Sequence, residues 1–131
     1  MIDWNENYEL KIEKVDKQHK YLIQLLNEFK EVFETVSDKN VIETLFLNLI
    51  NYCNYHFENE EMVMQECNYP DFDKHRTEHD IFFNNLERAK LEYLNGNDSA
   101  LSYLIEYIEI WIIDHIIMED KKYIPELAGK F

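Results

Sequence analysis

The sequence predicts an all-α fold: an antiparallel up-down-up-down four-helix bundle preceded by an N-terminal arm. Three observations predict it. Only two glycines and two prolines punctuate 131 residues, which leaves long uninterrupted segments. Apolar residues recur at three- and four-residue spacing along four stretches of roughly 20 to 27 residues. Short clusters of turn-forming residues separate these stretches, and short connections favour antiparallel neighbours. A chain of this length is expected to be one domain, burying roughly 65 to 70% of its unfolded surface.

Residues 1–15 hold no lasting period and read as the arm, with Trp4 packing it onto the bundle. The first helix, about 16–36, carries the inward row His19, Leu22, Leu26, Phe29 and Phe33. Ser37, Asp38, Lys39 and Asn40 are turn-formers, and Ser37 or Asp38 can cap the next helix. That second helix, about 39–65, turns Leu45, Leu49, Tyr52, His56, Glu60 and Val63 inward. Glu58 and Glu61 fall off this row and read as solvated. Cys67-Asn68-Tyr69-Pro70 breaks the pattern, and Asp71 is the expected cap of the third helix, about 71–95. Its row is Phe72, His75, His79, Phe82, Leu86, Ala89 and Tyr93. Asn95-Gly96-Asn97 is a helix stop, with Gly96 suited to the left-handed position. Asp98 is the expected cap of the fourth helix, about 98–119, whose row is Leu101, Leu104, Ile108, Trp111, His115 and Met118. Further apolar residues there (Ile105, Ile112, Ile113, Ile116, Ile117) read as packing against the arm, with an oligomer contact as the alternative. The expectation is a monomer or a weak homo-oligomer. Pro125 and Gly129 mark a short C-terminal tail.

A formal charge of -14 with only 13 scattered Lys and Arg argues against nucleic acid and anionic membranes as partners, since phosphate binding needs a basic patch. The acidity reads as a solvated helix surface. No apolar run reaches about 18 residues and no charged-then-apolar leader opens the chain, so the expected location is cytoplasmic. Cys53 and Cys67, 14 positions apart, would lie roughly 20 Å apart if both sat on one helix, and are expected to be free thiols in a reducing compartment.

All five histidines fall in inward rows. With alternating helix directions, His19 near the start of the first helix and His56 toward the end of the second lie at the same end of the bundle. His75 and His79 near the start of the third, and His115 near the end of the fourth, join them. Five buried imidazoles would each need a hydrogen-bond partner, and metal is the economical alternative. Five nitrogens exceed one tetrahedral zinc, and a single octahedral ion would leave the inward carboxylates idle. Two octahedral ions offer twelve positions. If two bridging carboxylates fill four, a shared oxide or hydroxide two and the histidines five, one stays open. Such a site suits a small diatomic ligand and leaves little room for an organic substrate. The diiron oxygenases use paired Glu-x-x-His motifs, and none occurs here.

Four motifs carry a resemblance: Asp16-Lys17-Gln18-His19, His56-Phe57-Glu58-Asn59-Glu60-Glu61, His75-Arg76-Thr77-Glu78-His79 and His115-Ile116-Ile117-Met118-Glu119-Asp120. In this order and spacing, with Trp4 in the arm, they use every histidine of the chain. The sequence resembles the bacterial-type hemerythrins over essentially its whole length. The resemblance implies two iron ions bridged by oxide or hydroxide, Glu60 and Asp120. His75, His79 and His115 would hold one iron, and His19 and His56 the other, which keeps the open position. It also implies reversible dioxygen binding by a carrier, storage or delivery protein that is not an enzyme. The alternatives are a sensor of dioxygen, nitric oxide or redox state, a peroxidase- or ferroxidase-like diiron enzyme, and a metal-free structural bundle.

Spacing and resemblance disagree at one ligand. Asp120 lies about 140° around an ideal helix from His115, whereas Glu119 is better aligned. Following the resemblance, the helix is expected to loosen or end there. Lys11 stands where the family has a loop glycine. Helix phase and resemblance together nominate Leu22, Phe57, Trp111 and Ile112 as the dry lining of a dioxygen pocket, the bland reading of each being ordinary core.

Overall fold

In the computed structural model of the chain, described over residues 3–4, 6–10, 12–35, 38–115 and 120 with the side chain of Asn7 left aside, a short 3-10 turn at Glu6–Tyr8 leads into four helices. They are α1 (Glu13–Thr35), α2 (Lys39–Glu66), α3 (Phe72–Leu94) and α4 (Ser99–Asp114). The expected final stretch of the fourth helix at 116–119, with Ile116, Ile117, Met118 and Glu119, lies outside the described residues. So do Lys11, Ser37 and the tail with Pro125 and Gly129.

Local chemistry sets the helix limits. α1 begins three residues before the expected start, because Asp16 serves the arm: its Oδ1 accepts a hydrogen bond from the Leu10 amide at 2.9 Å. Glu13 and Asp16 in the first turn suit the positive end of the helix dipole. Asp38 caps α2, its carboxylate accepting from the Asn40 amide at 2.9 Å. Replacing Asp38 with alanine is therefore expected to lower stability by about 1 kcal/mol, read as a lower urea midpoint at unchanged slope.

Asp71 and Asp98 occupy the N-cap positions of α3 and α4, but neither side chain makes the capping bond the sequence suggested. The Asp98 carboxylate lies 3.9 Å from the Lys39 ammonium instead. Both α2 and α3 end in a Schellman turn. After α3 the Asn97 amide reaches back to the Glu92 carbonyl and that of Gly96 to Tyr93, with Gly96 at φ 100°. After α2 the same pair of bonds forms from Tyr69 to Met64 and from Asn68 to Gln65, with Asn68 supplying the left-handed residue at φ 53°.

Each helix packs on its neighbour in sequence, and α1 also packs on α4, closing a four-helix bundle; the described residues contain no strand. The inward rows form one large core, centred on fully buried Leu26, Phe29, Leu49, Phe82, Leu86, Leu101 and Ile108. Trp4 is half-buried against this core, edge-on to Tyr8 at 5.6 Å with the Lys20 ammonium above its ring. Ile105 and Ile112 are buried in the main core and Ile113 packs on its edge. A smaller cluster, Val15, Val63 and Met64 with Leu10, Ile12, Cys67, Tyr69 and Phe72 around it, gathers the start of α1, the end of α2 and the start of α3. The histidine-bearing turns lie between the two clusters in sequence, so apolar packing flanks them above and below. Cys53 and Cys67 are both free. Burial pushes the Cys53 thiol up to about 12, which leaves it an unreactive core residue.

Candidate metal centre

Seven side chains from four elements meet in one layer: His19 from α1, His56 and Glu60 from α2, His75 and His79 from α3, and His115 and Asp120 from the chain leaving α4. All are at most 5% exposed. His56 with Glu60, and His75 with His79, are pairs four apart on one helix, stacked on a single face. Asp120 lies five residues after His115, and the backbone at both residues is π-helical. In that conformation residue i pairs with i+5, so residues five apart come to the same side. Asp120 Oδ1 lies 3.1 Å from His115 Nε2, where an ideal α-helix would have favoured Glu119.

The donors sort into two groups. Glu60, His75, His79 and His115 form one, and His19, His56, Glu60 and Asp120 form the other; within each, one ligand atom per residue lies within 4.8 Å of all the rest. The carboxylates divide between them. Glu60 turns Oε1 to His56 Nε2 at 2.8 Å and Oε2 to the Nε2 atoms of His79 and His115 at 3.4 Å. Asp120 turns Oδ2 to His19 Nε2 at 2.9 Å and Oδ1 to His115 at 3.1 Å and His75 at 4.0 Å. Metal–ligand bonds of about 2.1 Å place octahedral neighbours about 3 Å apart and opposite ligands about 4 Å apart. The observed spacings match that range.

The donor chemistry fits cations. His19 Nδ1 and Nε2, His56 Nε2, Glu60 Oε1 and His79 Nδ1 are buried and make no hydrogen bond among the described residues. Each such group costs about 1–3 kcal/mol, and the three that face into the layer, His19 Nε2, His56 Nε2 and Glu60 Oε1, call for a positive charge between them. The buried carboxylates also make the layer favour positive charge. Burial opposes charge on His19, yet Asp120 and Glu60 outweigh it and raise the ring to about 9. His79 likewise rises to about 9 against burial, through Glu60 and Glu61. Burial keeps His56 below the usual range. For Glu60, burial favours the neutral acid, but the surrounding imidazoles of His56, His115 and His19 hold it well below the ordinary carboxylate value.

Two polar residues that the sequence reading did not assign support this layer. Gln18, itself buried, places Oε1 2.6 Å from His56 Nδ1. An amide oxygen only accepts, so Nδ1 carries the ring proton and Nε2 keeps its lone pair for the layer. Glu61, expected to be solvated, is only partly exposed, its side chain 21% accessible with Oε2 3.6 Å from His79 Nδ1. Glu58 is exposed as expected. A signal existed in both cases. Gln18 falls between Val15 and Leu22, and Glu61 between Phe57 and Met64, at the three- and four-residue spacing of buried rows.

Of the nominated lining residues, Phe57 lies parallel on the His79 ring with centroids 3.9 Å apart, and Trp111 parallel on His115 at 4.4 Å. The two aromatics meet edge to face at 5.3 Å. Leu22, one turn beyond His19, and Ile112, one turn before His115, are both buried in the main core.

Comparison with known proteins matches this arrangement. The family described as hemerythrin HHE cation binding domain matches residues 10–127. A bacteriohemerythrin of Clostridium acetobutylicum is 27% identical over 95% of this chain and 99% of its own. A myohemerythrin of Theromyzon tessulatum is 29% identical over 92% of this chain and 88% of its own. The crystal structure of a wild-type hemerythrin superposes with a TM-score of 0.86 at 25% identity, covering 98% of both chains. With the family matched across nearly the whole bundle, and a buried histidine–carboxylate layer able to hold metal ions, the chain belongs to the hemerythrin HHE cation-binding family, whose cofactor is a diiron centre.

Proposed function

We propose that the protein binds dioxygen reversibly at a diiron centre held by His19, His56, Glu60, His75, His79, His115 and Asp120. The observation that carries this reading is that Glu60 and Asp120 each turn one oxygen toward the two-histidine group and the other toward the three-histidine group. Bridging in that way would give five protein ligands to the three-histidine position and four to the two-histidine position, and a shared oxide or hydroxide would complete the first at six and leave the second with one open place. When bound, the iron pair supplies two electrons' worth of reversible redox chemistry at that place.

The chain's own residues make the chemistry reversible by keeping out water and protons. Phe57 and Trp111 cover imidazole faces of the three-histidine group, and Leu22 and Ile112 continue the apolar wall on α1 and α4. Such a wall would keep water and protons from the centre. Ile112→Ala or Trp111→Ala is expected to shorten the lifetime of the oxygenated form by about tenfold, on the scale of 1–2 kcal/mol in the barrier. The measurement is the rate of autoxidation to the diferric form, and an unchanged rate argues against these residues as the barrier.

The test of the function is an absorption spectrum of the anaerobically reduced, iron-loaded protein, taken before and after exposure to air and again under vacuum. Stoichiometric uptake that reverses under vacuum supports the carrier. Oxidation that does not reverse, or repeated turnover with peroxide, Fe2+ or an added reductant, overturns it in favour of an enzyme.

A further inference from the structure

The ring atoms pointing away from the metal layer are served unequally. His56 Nδ1 faces the neutral amide oxygen of Gln18 at 2.6 Å. His19 Nδ1, buried in the same group, has no hydrogen-bond partner among the described residues. His79 Nδ1, in the other group, also makes no hydrogen bond among the described residues, but the carboxylate charge of Glu61 lies 3.6 Å from it, with the Arg76 guanidinium 3.9 Å from the other Glu61 oxygen. An acceptor, or a negative charge nearby, favours the ring proton on the outer nitrogen and makes the inner nitrogen a stronger donor to metal. A carboxylate does this more than an amide, and a missing acceptor does it least.

We propose that Gln18 and Glu61 are positioning residues that make the two metal positions unequal in affinity. Glu61 strengthens the three-histidine position so that it fills first and empties last. Gln18 holds His56 in the ligating tautomer without adding charge, so the two-histidine position binds its ion weakly and exchanges it readily. This rests on the two-ion reading above. The consequence extends beyond ligand geometry: the position proposed to meet dioxygen is also the one from which the protein loses metal.

The probe is Co2+. The full chain is loaded anaerobically, its bound cobalt counted, and the loss of cobalt to excess EDTA followed by absorption. Two ions per chain leaving in two well-separated phases is the expected result. Gln18→Glu, which puts a carboxylate on His56 Nδ1, is expected to slow the fast phase at least about tenfold and leave the slow one in place. Glu61→Gln is expected to speed the slow phase by about 10- to 100-fold. Slower release by Gln18→Glu cannot arise from a damaged fold, and far-UV circular dichroism checks Glu61→Gln for one. Two ions lost in a single phase, or a fast phase indifferent to Gln18→Glu, overturns the proposal alone. Fewer than two Co2+ per chain overturns the two-ion reading and the proposal with it.

Discussion

Glu60→Ala is expected to reduce bound iron from two ions per chain to one or none, measured by metal analysis after anaerobic loading. The effect should be among the largest of any single substitution outside the histidines, because this residue serves both donor groups. Its Oε1 meets His56 and its Oε2 meets His79 and His115, so alanine removes one ligand from each position at once. It also strips the layer of half its buried negative charge, leaving five imidazoles and Asp120 to compensate two cations in a region closed to water. Glu58→Ala is the control, since it lies in the same motif but is exposed and should keep the full complement. Retention of two irons by Glu60→Ala would sink the bridging arrangement.

The second large effect is on stability. Phe82 is fully buried at the meeting point of the aromatic layer, stacked on Trp111 with centroids 4.0 Å apart, edge-on to Phe57 at 5.7 Å and beside Tyr107 at 5.9 Å. Phe82→Ala is expected to cost about 3–5 kcal/mol, the sum of lost apolar transfer and an unfilled cavity, lowering the melting temperature of the metal-free protein by more than about 10 °C. Trp111 loses the ring that backs it against His115, so the loss should reach the metal layer as well as the core. A change below about 1 kcal/mol would mean that the neighbouring rings close the gap.

Much of this was written in one dimension. The rows at three- and four-residue spacing place His19, His56, Glu60, His75 and His79 on inward faces, because a regular α-helix converts sequence spacing directly into angle. The short turns dictate how the helices alternate. Asn68 and Gly96 mark two of the stops, since few other residues accept a left-handed backbone. The four motifs, with every histidine accounted for, were enough to bring the family into view.

What spacing could not supply came from tertiary structure. Asp120 enters the layer through a departure from α-helical geometry that no periodicity argument anticipates. Spacing could hint that Glu61 is covered, but that His79 and Arg76 are what meet it was set by the packing of α3. Asp71 and Asp98 have cap residues' chemistry in cap positions, yet whether a side chain turns to its own helix or elsewhere depends on what the rest of the bundle offers. The sequence by itself determined the fold, the inward faces and the inventory of metal donors, because those follow from local backbone geometry and the burial of apolar rows. Only the tertiary structure decided which oxygen faces which imidazole and which outer nitrogens find partners, because those depend on ångström-scale distances between helices that no single helix encodes.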